Sequence, residues 1–308
     1  MNDIEFLAKL NTSLAPLNTE LSSNYSDRFL NIFVLGLPRS GTTLLTQLVY
    51  SCLNVECTNN LMAKFWNAPL VAARLSKLLL TKGASNYSSD MGTTELLTDP
   101  HEFSWFWQSR LKHGELGDSI SEIQRSISKN MLEKLISELN GVNTILESSV
   151  IHKPLELLIP FIDLIQESVN NSLFIYISRP KLEIASSLLF AREQRYGVIS
   201  KPWGSLPFGV SEDEFAKYPV VDQVAYQIKY LEIQYEEAMN CLTDFNLLKI
   251  TYDELCSNPK SVLEAIVTHP SSLKYGLERI TEEVPDLVTS NKSIHPLAFK
   301  VIQRCELL

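Results

Sequence analysis

Three groups of residues in this chain carry side chains that can bind an anion or move a proton beside one. The first is Gly36-Leu37-Pro38-Arg39-Ser40-Gly41-Thr42-Thr43. Its glycines let backbone N–H groups turn inward, and a helix starting at Thr42 adds unpaired N–H groups and a positive dipole end. Such a loop cradles an anion of phosphate size, with Arg39 as its cation and Thr42 and Thr43 as hydroxyl donors. The second group is Arg179 with Ser187, eight residues on, placed to meet one anion from a strand end and its following helix. The third is His101-Glu102, followed by Phe103, Trp105, Phe106 and Trp107. A His or Glu in an apolar site has its pKa tuned towards that of a general base, and aromatic walls stack on sugars or flat acceptors. The same block also reads as a capped helix with an aromatic buried face.

The loop departs from the triphosphatase pattern GxxxxGK followed by Ser or Thr. Thr42 stands where that pattern has the Lys that reaches a triphosphate. The strand before Arg179 ends in Ser178, not in an Asp for Mg²⁺. The loop is built for a phosphate and is poorly equipped to hydrolyse ATP.

These groups need elements to position them. Ile32–Leu35 predicts a buried strand, and Leu44, Leu45, Leu48 and Val49 follow at helical spacing. Met1–Asp27 predicts a short helix and an arm. Residues 61–78 have helical spacing broken near Pro69, and residues 82–99 read as a loop. Leu116–Asn140 predicts one exposed amphipathic helix and Asn143–Leu146 a strand, with Glu147–Lys153 just beyond its end. Pro154 starts a helix through Leu164. Leu173–Ile177 is the second strong strand, and Lys181–Arg192 its following helix. Ser200–Tyr218 predicts a mobile loop over the site. Val221–Met239 is a long helix, Asn246–Thr251 the third strand, and Asn258-Pro259 restarts a helix to Val267. Strands alternating with helices predict a three-layer α/β fold with a mostly parallel central sheet.

Composition narrows the partners. The 308 residues carry a formal net charge of −9, which disfavours nonspecific nucleic-acid binding, so an anionic ligand must find a local basic site. The five Cys show no CxxC or zinc spacing, and no metal site is expected. Scattered thiols, an N-terminus without a signal-peptide core and no run of ~20 apolar residues predict a soluble cytoplasmic protein with no membrane span.

Three blocks in order resemble the PAPS-dependent sulfotransferases, of bacterial type and P-loop-like fold. These are GLPRSGTTLL, IYISRPKLEIASSLL and ITYDELCSNP. The resemblance implies transfer of a sulfuryl group from 3′-phosphoadenosine 5′-phosphosulfate (PAPS) to a hydroxyl acceptor, a carbohydrate or other small molecule, with PAP as product. It implies one domain over residues 1–308: an N-terminal arm (1–28), a core (29–268) and a C-terminal helical extension (269–308). It places Arg39 beside the sulfuryl group, with Pro38, Ser40, Gly41, Thr42 and Thr43 around the 5′-phosphate. Arg179 and Ser187 fall on the 3′-phosphate, Tyr252 on the nucleotide site, and Lys153 where the family often has a Lys. Pro180 comes one residue early, so a Ser178/Ser186 register competes; Arg179/Ser187 keeps Glu183, Ile184 and Ala185 in step. The catalytic Glu of many relatives, about twenty residues past the loop, is absent from CTNN. Glu102 and His101 are the candidate bases, with Glu147 and His152 behind them. Phe65, Trp66, Trp105, Trp107 and Trp203 suggest a cyclic acceptor. A P-loop kinase or NTPase and a non-catalytic adenine-nucleotide-binding protein remain as rival readings.

Overall fold

The computed structural model describes residues 1–22, 25, 27–82, 87–111, 117–287 and 293–308. Of the sequence-based expectations, residues 23, 24 and 26 of the N-terminal arm, residues 83–86 of the loop, Leu116 and residues 288–292 of the C-terminal extension lie outside them. Helix α1 (Asp3–Leu21) opens on a capping box between Asn2 and Glu5 and is longer than expected. Buried asparagines pin it: Asn11 accepts from the Asn67 N–H at 2.8 Å, and Asn18 from the Leu70 N–H at 2.8 Å. The arm is therefore held by hydrogen bonds more than by apolar stripes.

Strand β1 (Asn31–Leu35) is fully buried, as expected of a strand covered on both faces. The Gly-bounded loop follows, then α2 (Thr42–Cys52) and β2 (Val55–Cys57). A 3-10 turn (Met62–Phe65) leads to α3 (Pro69–Leu79), then α4 (Ser104–Leu111), α5 (Ile120–Ser126) and α6 (Lys129–Leu146). The expected single helix over Leu116–Asn140 is thus two, broken where Ser128 caps α6. The strand expected at Asn143–Leu146 is instead the last turn of α6. Leu135, Leu139, Val142 and Ile145 run at helical spacing into the core, and the helix ends on Glu147 at φ +55°. The strand is β3 (Ser149–His152), inside the segment expected to follow it.

A 3-10 segment (Leu155–Phe161) with Pro160 inside it replaces the first half of the expected Pro154 helix, and α7 (Ile162–Ser168) follows. Then come β4 (Ser172–Ser178), α8 (Lys181–Tyr196), α9 (Glu212–Phe215) and α10 (Val220–Met239). The chain closes with β5 (Leu247–Thr251), α11 (Tyr252–Ser257), α12 (Pro259–Val267), α13 (Pro270–Lys274) and α14 (Ala298–Cys305).

The described strands form one five-stranded sheet, ordered β2-β3-β1-β4-β5, and every pairing is parallel. Residues alternate across it. Phe33, Leu35 and Phe174 face a core shared with α8, α10 and α14; Ile32, Val34 and Ile175 face one shared with α2, α11 and α12. This is the expected three-layer α/β architecture. After β1 the chain moves to one side of the sheet, and after β3 it moves to the other. The carboxyl end of β1 is therefore a topological switch point, where open parallel sheets bind ligands. Among the described residues no helix is long and apolar enough to cross a membrane.

Candidate active site

Four strand ends deliver side chains to one cleft of about 680 Å³. From β1 come Pro38, Arg39, Gly41, Thr42 and Thr43; from β3, Glu156; from β4, Arg179; and from β5, Tyr252. Ser187, one turn and more into α8, joins them.

Positive φ recurs in the loop after β1, and two of its positions shape the cleft. Arg39 is at φ +70° and Gly41 at φ +104°. A Cβ on Gly41 would lie 2.5 Å from the Tyr252 ring, so glycine is required for both space and conformation. Gly41 is the N-cap of α2 and supplies no side-chain cap, which leaves first-turn N–H groups facing the cleft. Ser40 contributes differently from expectation. Its N–H donates to the Leu37 carbonyl at 3.1 Å and its hydroxyl is fully buried, so it closes the turn without lining the cleft.

Arg39 donates from Nε to the Ser187 hydroxyl at 2.9 Å and lies over the Trp203 ring. It has no ion pair among the described residues. Burial, then the neighbouring Arg179, lowers its pKa, yet a guanidinium stays cationic in a protein. Arg179 donates to the Arg39 carbonyl at 3.1 Å, pairs with Glu183 at 2.8 Å and stacks over Tyr252 at 4.1 Å. Ser187 faces the cleft. Ser186 instead accepts the His295 N–H at 2.8 Å and is not part of the cleft lining.

A second triad borders the loop. The ammonium of Lys153 is almost fully buried, 2.9 Å from the Thr43 hydroxyl and 3.3 Å from a Glu102 carboxylate oxygen. A buried ammonium needs partners, and the Gly92 carbonyl supplies a third at 3.3 Å. Glu102 lines the cleft. The helix behind it, α4, is anchored by Arg110, which forks onto Glu138 at 2.5 and 3.0 Å.

His101 is placed otherwise. Its Nδ1 accepts the Phe103 N–H at 2.8 Å, its own N–H donates to the Thr58 carbonyl, and it is not part of the cleft lining. Burial drives its pKa down to about 4, so the ring is neutral at pH 7. The two reserve bases also lie off the cleft. Glu147 pairs with Lys77 on the surface. His152 is stacked on Phe33 in the core and is driven down to about 3 by burial. The aromatic set divides likewise. Trp107 is buried against Phe33 and His152, Trp66 packs edge-on to Trp105 at 4.5 Å, and Phe65 packs on the α3–α6 core. Only Trp203 of the five lines the described cleft.

Sequence reasoning missed Glu156. Its side chain reaches the cleft and accepts a hydrogen bond from Ser205, and burial raises its carboxyl to about 7. The one signal was its position three residues past Lys153, at a strand end. Gln108, Arg195, residues 87–89 and residues 91–93 also line the cleft without an earlier signal.

Comparisons with known proteins bear on the fold and the family. A sulfotransferase from Mycobacterium tuberculosis H37Rv, STF1, superposes with a TM-score of 0.53 at 14% identity, covering 98% of this chain and 82% of that one. A second, STF9 from Mycobacterium avium, superposes at 0.49 and 14% identity over 86% and 71%. At such identity the first likeness speaks to the fold alone. No curated protein matches the sequence. The family model described as "Sulfotransferase family" matches residues 31–270, from the first residue of β1 into α13, and by that match the chain belongs to the sulfotransferase family.

Proposed function

We propose that this chain transfers a sulfuryl group from PAPS to the hydroxyl of a carbohydrate or other small-molecule acceptor. One observation carries the reading. Arg39, a half-buried cation with no ion pair among the described residues, meets Arg179, Ser187 and a helix N-terminus without a side-chain cap on a single cleft. That donor set suits a ligand with two separate anionic groups, and the Tyr252 ring beside it suits a nucleotide. Gly41 lets the loop close against the Tyr252 ring, and as a cap without a side chain it leaves the first-turn N–H groups of α2 for a phosphate.

In this reading Pro38, Gly41, Thr42 and Thr43 hold the 5′-phosphate and Ser40 fixes their turn. Arg179 and Ser187 hold the 3′-phosphate, and Tyr252 shapes the nucleotide end. PAPS, when bound, supplies a sulfuryl group whose bond to the 5′-phosphate breaks as the acceptor oxygen bonds to sulfur. Arg39 and the N–H groups of α2 stabilise the charge left on that phosphate, as in phosphoryl transfer, where positioning and electrostatics dominate. Glu102 takes the acceptor's proton, and Lys153 holds its carboxylate beside the loop. His101 keeps the turn before α4 and takes no part in proton transfer.

Calorimetric titration with PAP, 5′-AMP and ATP tests the donor. PAP is expected to bind at least about tenfold tighter than 5′-AMP, a difference of roughly 1.4 kcal/mol. A preference for ATP, or no nucleotide binding, overturns the reading. Glu102→Gln is expected to lower turnover ~10²–10⁴-fold while PAP affinity survives. Unchanged turnover would remove Glu102 from its role.

A further inference from the structure

A second cavity, of about 510 Å³, opens beside the cleft. The two share a wall of Gln108, Glu156, Leu157, Trp203, Gly204 and Ser205. Charge changes sign across that wall. The cleft side has Arg39, Arg179 and Arg195, with Glu102 as its own carboxylate besides the shared Glu156. On the far side the described lining residues include the carboxylates Asp118, Glu156 and Glu212, and no Lys, Arg or His. Much of the rest is apolar: Ile123, Leu206, Pro207, Phe208 and Val210.

The wall is a built feature. Two glutamines of α10 hold the segment that forms it. Gln227 donates to the Trp203 and Ser205 carbonyls, and Gln234 takes the Phe208 N–H and returns a bond to its carbonyl, both at 3.2 Å. The Gly209 N–H closes on the Asp118 carbonyl at 3.0 Å. Ser205, fixed in this way, donates its hydroxyl to Glu156 and sets the carboxylate between the two cavities.

We propose that this second cavity seats the acceptor, that the acceptor is an uncharged or cationic hydroxy compound with a flat apolar body, and that Glu156 is the specificity residue that takes a hydrogen bond from it. The assignment rests on the sulfotransferase reading above. The donor side then carries anions and the acceptor side excludes them, because an anionic acceptor would face three carboxylates in a partly desolvated site. Trp203 and Phe208 both line the cavity, and aromatic walls suit a flat body. Burial disfavours the ionised form of Glu156, and a hydroxyl or ammonium donor beside it offsets that penalty.

The test uses the full chain saturated with PAP and titrated calorimetrically with three naphthols of matched size: 2-naphthol, 6-aminomethyl-2-naphthol and 6-hydroxy-2-naphthoate. The first two are expected to bind at least tenfold tighter than the naphthoate. Glu156→Gln is expected to erase most of that preference without changing PAP affinity, and Phe208→Ala to weaken all three about equally. Naphthoate binding as tight as the others overturns the proposal. So does the binding of PAP with no naphthol binding, or of methyl glucosides in their place. Failure of PAP itself to bind overturns the donor reading and is seen before any naphthol is added.

Discussion

The two cavities meet at one wall and are built by opposite means. The donor cleft stands on the carboxyl ends of parallel strands: β1 supplies the loop, β3 leads to Lys153, β4 to Arg179 and β5 to Tyr252. Its main donors are backbone N–H groups and short polar side chains, held by a sheet that is buried on both faces. The second cavity takes its walls from the end of α8, the 202–210 segment and the stretch at Gly117 and Asp118. Its walls depend on long-range hydrogen bonds such as those of Gln227 and Gln234. In the proposed function, anion binding thus follows from topology. Acceptor choice follows from segments that can change without disturbing the sheet.

The comparison breaks first at Arg39, where the largest effect is expected. Arg39→Ala removes the cation without an ion pair, and turnover should fall ~10²–10³-fold, the usual consequence of losing one charge-stabilising donor. PAP release from PAPS in the presence of acceptor measures it. Retained turnover would mean that the helix N-terminus alone carries the charge. Arg179→Gln is next in size. It should cut the preference for PAP over 5′-AMP by roughly ten- to a hundredfold, the worth of about 1.5–3 kcal/mol in charge-assisted hydrogen bonds, and leave 5′-AMP affinity unchanged. Competition titration reads the ratio. An unchanged ratio would place the 3′-phosphate away from Arg179, and a change in the naphthol order would join what the wall separates.

The same contrast explains what the sequence allowed to be read. The strand, loop and helix at Asn31–Cys52 are local, with an apolar run, bracketing glycines and helical spacing, so both the fold class and the first group of donors were legible. Arg179 and Ser187 were legible because they lie on one strand–helix corner. The strand β2 was not, since three residues show no period. The end of α6 was misread because Asn140 and Asn143 interrupt its apolar stripe; they are buried for hydrogen bonding, with Asn143 donating to the Leu30 carbonyl at 3.3 Å. Glu156 and the second cavity were invisible for the same reason that His152 looked functional. Whether a titratable side chain faces a cavity or an aromatic stack depends on contacts between segments far apart in sequence, such as Glu156 with Ser205 or His152 with Phe33.

The smallest effect is the most direct probe of the wall. Glu156 has a folded-state pKa raised by burial from 4.5 to about 7, with Ser205 opposing and Glu102 adding to the rise. The folded protein therefore holds a proton that the unfolded chain releases between those values. Below about pH 4.5 both states are protonated and the residue is neutral for stability. As pH rises through 7 the folded state must ionise a desolvated carboxyl, and stability is lost. Glu156→Gln should thus match the wild type at pH 4 and exceed it at pH 8. The gain should be on the order of 1–3 kcal/mol, less than the full 1.36 kcal/mol per pKa unit because the side chain touches the cavity. His101 works in the opposite sense, since its lowered pKa removes stability as pH falls from 6.5 towards 4. Denaturant melts of the two proteins at pH 4 and pH 8 separate these contributions. Equal stability at both pH values would mean that water reaches Glu156 freely. The wall between the cavities would then be wet, and the carboxylate would lose its hold on which acceptor enters.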